Sequence, residues 1–226
     1  MKGPDSFAEK AYHTIKRMLL TDELVSGQKI LYRDMAHRLG MSQTPVILAL
    51  TRLKDEGLVR SEANKGFSVP ELDLDEAQEL YDIRSAIEEF LIKRSAKIVT
   101  DEQLKTLRQI MERHQTLRGE VYCRERLWND ARLHLAIASF ANHRTGEQFL
   151  RQICDRIYLR YRPDRMPVVR LVEAEQEHEQ VFQALEERDS AKAARMMRRH
   201  LKRGAQRIVE GLRRQSQLRE ALTLWE

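Results

Sequence analysis

The sequence predicts a mainly α protein in two parts. A small domain of three helices and a hairpin spans 1–70, and an all-α helical bundle spans 71–226. Two observations predict this division. Three of the five prolines and five of the nine glycines lie in the first 70 residues, so the boundary falls near Pro70, before the acidic run ELDLDEAQEL. Beyond it, apolar residues recur at helical spacing through long stretches with few breakers. The chain of 226 residues is 42% hydrophobic and 33% charged, the balance of a globular protein. No run of 18 apolar residues occurs, which excludes a membrane-spanning helix, and MKGPDSFAEK has no apolar region of a secretory signal. Cys123 and Cys154 lack CxxC spacing and read as free thiols, so the expected location is cytoplasmic. The net charge of +5 is too small to name a partner.

Each element follows from local chemistry. Ala8, Ala11, Ile15, Met18 and Leu19 form one face of the first helix. Residues 33–39 form a short amphipathic helix that Gly40 ends. Ser42 is placed to cap the third helix and Pro45 suits its first turn. Val46, Ala49, Leu50 and Leu53 are that helix's inner face, and Gly57 ends it. Leu58–Arg60 and Phe67–Val69 are predicted strands about the turn SEANKG. The bundle helices are predicted at 73–98, 101–117, 122–141, 145–161, 168–187 and 190–214. Thr100 and Gln103 form a capping box before the second of these, Asn142 stops the third, and Asp189-Ser190 opens the last. Between 188 and 219 stand 11 Lys or Arg against two acidic residues. This run is either a solvated helix face or a surface that pairs with an acidic one, such as 71–89.

A helix, a glycine turn and a second helix with polar residues at its N-terminus suit docking in a DNA major groove. Ser42, Gln43 and Thr44 are those first residues. Arg33, Arg38, Arg52 and Lys54 are candidate phosphate contacts, and Lys65-Gly66 at the hairpin tip can approach a minor groove. The segment from IKRMLL to KGFSV resembles the winged helix-turn-helix of the GntR regulator family. The Gly27 turn with Ile30, MAHRLGMSQTPV, the run AL-x-x-L-x-x-EGLV and the Gly66 wing occur in the right order. The resemblance implies DNA binding and carries over Arg33, Thr44 and Gly66. The family's usual Ser-Arg-Thr-Pro-Val-Arg-Glu-Ala-Leu is altered here: Gln43 and Ile47 replace the two arginines, and Leu48 replaces the glutamate. An altered sequence preference follows, with Gln43 suited to adenine and Ile47 to a thymine methyl or simply exposed.

Asp130 and His134 are four apart and share a helical face with Leu127, Ala131, Leu135 and Ala138. His178 lies in a stripe with Ala174, Val181, Phe182 and Leu185. His200 lies with Met197, Leu201 and Gly204. These four residues are candidate ligands for a divalent metal, which helical bundles bind through inward-facing side chains, or they are hydrogen-bonded core residues. Imidazole and carboxylate suit Zn, Ni, Fe or Mn. ELYDIRSAIE, NDARLHLAIASFANH and EHEQVFQALEERDSAKAARMMRRHL resemble the FCD effector domain of the FadR-like GntR branch. That resemblance implies a metal held by Asp130, His134, His178 and His200.

Arg84 interrupts the apolar stripe Leu80, Ile87 and Leu91. It is either the partner of Glu88 or a fork for a ligand carboxylate. The resemblance supports a small organic acid as effector. Together these readings predict a ligand-responsive transcriptional regulator, commonly a repressor in this family. It would be a homodimer on a palindromic operator of double-stranded DNA, its effector shifting the two DNA-binding domains relative to each other. No G-x-S-x-G, P-loop or H-E-x-x-H motif supports an enzyme. The competing readings are a metal-dependent hydrolase or lyase on the same scaffold, and a DNA-binding dimer without metal.

Overall fold

The computed structural model describes residues 6–62, 66–116, 124–161 and 168–223. Lys65 and Cys123 lie outside them. The chain divides into two compact units, Met1–Leu72 with Asp155–Tyr161, and Asp73–Cys154 with Arg162–Glu226.

In the first unit, α1 (Phe7–Leu20), α2 (Tyr32–Leu39) and α3 (Gln43–Asp55) enclose a core of Ala11, Ile15, Leu19, Val46, Leu50 and Leu53. Burying these side chains supplies the unit's driving force, at about 1.5–3 kcal/mol for each larger aliphatic one. The Ser6 hydroxyl caps α1 by accepting from the Glu9 N–H. Gly40 ends α2 in the left-handed conformation with φ 61°, and its N–H returns to Ala36 and His37. Ser42 takes the cap position of α3, but its hydroxyl makes no capping hydrogen bond. Tyr12 gives its hydroxyl to Glu56, and Lys16 reaches both Tyr12 and Asp155. Arg160, also of this unit, donates to the carbonyls of Pro70 and Glu71.

The wing differs from the predicted hairpin. Its strands are β2 (Arg60–Glu62) and β3 (Gly66–Ser68), with a third, β1 (Lys29–Ile30), in the order β1-β3-β2, all antiparallel. Leu58 and Val59 do not begin a strand, because their N–H groups turn back to the Leu53 carbonyl and finish the helix. Two-residue β1 is too short to show a period of two.

The second unit contains α4 (Leu74–Ile98), α5 (Asp101–Thr116), α6 (Arg124–Phe140), most of α7 (Arg144–Arg160), α8 (Val168–Glu186) and α9 (Ser190–Thr223). Asp73 caps α4 by accepting from the Glu76 N–H, and Asp189 caps α9 by accepting from Ala191 and Lys192. The Thr100–Gln103 capping box forms in both directions, at 3.0 and 3.2 Å. Asn142 follows α6 with φ 49°, the left-handed stop that Asn tolerates. Helix α9 runs nine residues beyond its predicted end at 214, since no proline or glycine interrupts LRRQSQLREALT. Its basic run is used in part within the unit. Arg198 pairs with Glu89 of α4, and Lys192 with Glu187. Arg195 and Lys202 are exposed. Helix α4 packs chiefly on α9 and α6, and α8 packs on α9, so α4, α6, α8 and α9 meet around one interior.

One position tests the wing. Gly66 has φ 86°, and a Cβ there would stand 3.0 Å from the Ile30 carbonyl oxygen. Gly66→Val should cost about 1–3 kcal/mol by combining backbone strain with that contact. Urea denaturation followed by circular dichroism measures it, and an unchanged midpoint would contradict the strand pairing.

Candidate metal centre

Asp130, His134, His178 and His200 converge inside the second unit, and one ligand atom from each lies within 4.8 Å of every other. Helical spacing explains the convergence. Asp130 and His134 are successive residues on one face of α6, while α8 and α9 each turn one imidazole inward from an apolar stripe. The three imidazoles are buried and Asp130 is partly exposed.

The order of the donors is specific. His134 Nδ1 meets Glu88 Oε2 at 2.5 Å, and His200 Nδ1 meets Glu177 Oε2 at 2.8 Å. Both carboxylates are ionised. Burial raises the Glu88 carboxyl, but the His134 and Arg84 charges and hydrogen bonds overcome it and bring it down to about 2. Burial likewise opposes the Glu177 carboxyl, yet hydrogen bonds from His200 and Arg203 and the nearby Arg207 bring it to about 2. An ionised carboxylate only accepts, so each Nδ1 carries a proton and donates it. The Nε2 atoms therefore point inward. His134 Nε2 and His178 Nε2 stand 3.2 and 3.3 Å from His200 Nε2, and Asp130 Oδ1 stands 3.2 Å from His178 Nε2. Burial opposes ionisation of Asp130, but the His178 hydrogen bond and the three imidazoles hold it well below the usual carboxylate range.

Four donor atoms at such spacing fit a cation. A tetrahedral ion with metal–nitrogen bonds near 2.05 Å separates its ligand atoms by roughly 3.3 Å. Carboxylates behind the ring nitrogens are also the usual outer support of metal-binding histidines. The group can therefore hold a divalent ion.

Arg84 is buried, and its Nε donates to Glu88 Oε1 at 2.6 Å while Nη1 lies 3.4 Å from the Tyr81 hydroxyl. The ion pair that its spacing offered is thus present, and Arg84 reaches the histidines through Glu88. Glu177, Arg203 and Arg207 are additions the sequence did not single out. Glu177 is adjacent to His178 and buried, so a carboxylate on the inner stripe of α8 was the available signal.

The DNA-facing candidates lie in the first unit. Arg33, Ser42, Gln43 and Thr44 are exposed, and Gly66 lies in β3. Of the candidate phosphate contacts, Arg52 covers the Tyr12 ring at 3.7 Å and pairs with Glu9 and Glu56. Arg38 pairs with Glu23.

Comparison with known proteins agrees with both units. Residues 7–69 match the family described as bacterial regulatory proteins, gntR family, and residues 79–203 match the FCD domain, more than half of the chain. The chain belongs to the GntR family and carries an FCD domain. It is a DNA-binding transcriptional regulator rather than an enzyme. It is 25% identical over 192 residues to the Nta operon transcriptional regulator of Aminobacter aminovorans, covering 83% of this chain and 87% of that one. It is 23% identical over 221 residues to the HTH-type transcriptional repressor RspR of Escherichia coli, covering 96% and 92%. The solved structure of McbR/YncC from E. coli matches with a TM-score of 0.78 at 20% identity, over 92% of this chain and 99% of that one. Among the described residues, no helix is long and apolar enough to cross a membrane.

The buried imidazoles give this FCD domain a pH signature. Burial and the His178 charge push His200 down to about 3 against the Glu177 hydrogen bond. Its folded pKa lies below its unfolded value of 6.5, so the unfolded chain binds the proton that the native state refuses. The stability is full above pH 6.5 and falls as the solution is acidified. In metal-free protein the His200 contribution should drop by about 2 kcal/mol between pH 7 and 5, or roughly 4–8 °C in Tm. Calorimetry at pH 7, 6 and 5 should show this slope, and His200→Gln should remove that part of it. Equal slopes in both proteins would contradict a neutral His200.

Proposed function

We propose that this GntR regulator is a homodimeric repressor controlled by a small organic carboxylate bound at a divalent metal. Asp130, His134, His178 and His200 are the proposed ligands, and the metal is Zn, Ni, Fe or Mn. The observation that carries the metal is the inward set of ring nitrogens at 3.2–3.3 Å. With the Nδ1 of His134 and of His200 committed to a carboxylate, their Nε2 atoms are open to a proton or a metal ion. A metal satisfies three rings and the Asp130 carboxylate together.

The effector follows from the open positions. Four protein ligands leave one or two sites on a five- or six-coordinate ion, and a carboxylate oxygen is a suitable donor there. When bound, the ion supplies a fixed positive charge that draws such an acid. We assign Arg84 to the same task, as a second buried cation whose charge favours an anion in this interior. Its hold on Glu88 would then loosen as the acid competes for the guanidinium.

Repression is supported by the relative RspR, which is named as a repressor. A homodimer presents two winged helix-turn-helix units, which matches a palindromic operator. The acid releases DNA only if it binds the DNA-free arrangement more tightly than the DNA-bound one.

A thermal-shift screen tests the proposal. Metal at about 100 times its Kd should add about 2.7 kcal/mol, or roughly 5–10 °C, to the wild-type protein. A panel of small carboxylic acids should then include members that raise Tm further with metal present. His134→Ala should lose both increments. Equal shifts in wild type and His134→Ala would overturn the metal-anchored effector, and no metal shift at all would leave the histidines as packing residues.

A further inference from the structure

The outward face of α3 is neutral through its first turns, the part of such a helix that meets base edges. Gln43, Thr44, Ile47 and Leu48 occupy successive positions of one stripe and are all exposed, opposite the buried Val46, Ala49, Leu50 and Leu53. Ile47 and Leu48 leave 37% and 57% of their surface in water, which their own unit does nothing to relieve. The stripe's first turns, residues 43–51, carry no lysine or arginine, and Lys54 stands on the same face only in the last turn. The cations nearest to it in the chain are engaged elsewhere in the unit. Arg52 lies over the Tyr12 ring and pairs with Glu9 and Glu56, Arg38 pairs with Glu23, and Lys54 lies 3.7 Å from Asp55.

We propose that this face reads A·T base pairs in the major groove. Gln43 hydrogen-bonds adenine, and Ile47 with Leu48 packs on thymine methyl groups. The inference rests on the regulator's DNA-binding role and names the bases it selects. Three physical points carry it. Guanine is read in the major groove chiefly by bidentate Arg or Lys, and residues 43–51 offer neither. A glutamine amide presents one donor and one acceptor, which matches N6–H and N7 of adenine. The thymine C5-methyl is the one apolar group that the groove offers to an exposed aliphatic side chain. Phosphate attraction then comes from off the stripe, from exposed Arg33 on α2 and from the α3 N-terminus, whose cap residue Ser42 keeps its hydroxyl out of the capping role.

The test selects duplexes from a randomised pool with the full-length protein, in metal-loaded and metal-free form, at one fixed salt concentration. The enriched half-site should carry A·T pairs at the positions that α3 protects. Thymines in that site are then replaced by deoxyuridine, which removes only the methyl. Wild-type binding should weaken about fourfold for each contacted methyl. The Ile47→Ala/Leu48→Ala variant should bind the thymine and deoxyuridine duplexes equally. Both residues are exposed, so the fold does not depend on them. Gln43→Ala should lose its preference for adenine at one position, by roughly five- to 150-fold. Guanine enriched opposite α3, or a deoxyuridine duplex bound as tightly as its parent by the wild type, would overturn the base reading while leaving DNA binding intact. A pool that fails to enrich in either metal state would overturn both.

Discussion

The second unit is organised around ionised carboxylates buried against imidazoles. Glu88 and Glu177 lie almost wholly out of water, where an unpaired charge is strongly disfavoured. Each is stabilised by a histidine and by arginine. Glu88 takes His134 and Arg84, and Glu177 takes His200, Arg203 and Arg207. The pairs tie α4 to α6 and α8 to α9, so they fix four helices while turning ring nitrogens to a common point. A carboxylate lost from either pair would leave buried cations and a ring free to take the other tautomer. The position of the donors and the packing of the helices are therefore one constraint rather than two.

That constraint gives the regulator an interior poised for a ligand. The same carboxylates that take the Nδ1 protons of His134 and His200 turn the Nε2 atoms of those two rings toward Asp130 and His178. In the proposed function a cation completes the group, and a carboxylate follows the cation. The DNA-binding unit works on different physics. Its core is aliphatic, its polar network of Tyr12, Glu56 and Lys16 lies at the edge, and the exposed stripe of α3 is neutral over residues 43–51. In the proposed reading, charge supports position on DNA, while the stripe's shape and hydrogen bonds supply choice among bases.

Much of this was legible in the sequence, for identifiable reasons. Helix positions followed from apolar spacing and from end signals that act locally, such as the Thr100–Gln103 box, Asp189 and Asn142. Asp130, His134, His178 and His200 were visible because polar residues interrupt apolar stripes at helical spacing. The supporting carboxylates were harder. Helical spacing offers Glu88 only as a partner of Arg84, and its bond to His134 joins α4 to α6 across 46 residues, which no local pattern encodes. Glu177 was hidden beside His178. The wing register was misplaced because Leu58 and Val59 look like strand residues but serve the helix end. The length of α9 was underestimated because its last turns are polar and carry no apolar period.

Two of the three histidine rings are held by buried carboxylates, and we propose that all three present Nε2 to a single metal together with one Asp130 oxygen. X-ray absorption at the metal edge of protein loaded with one equivalent tests it most directly. Three imidazole nitrogens at about 2.0–2.1 Å, at least one oxygen and no sulfur are expected. A first shell made only of oxygen, or one containing the sulfur of Cys154, would contradict it.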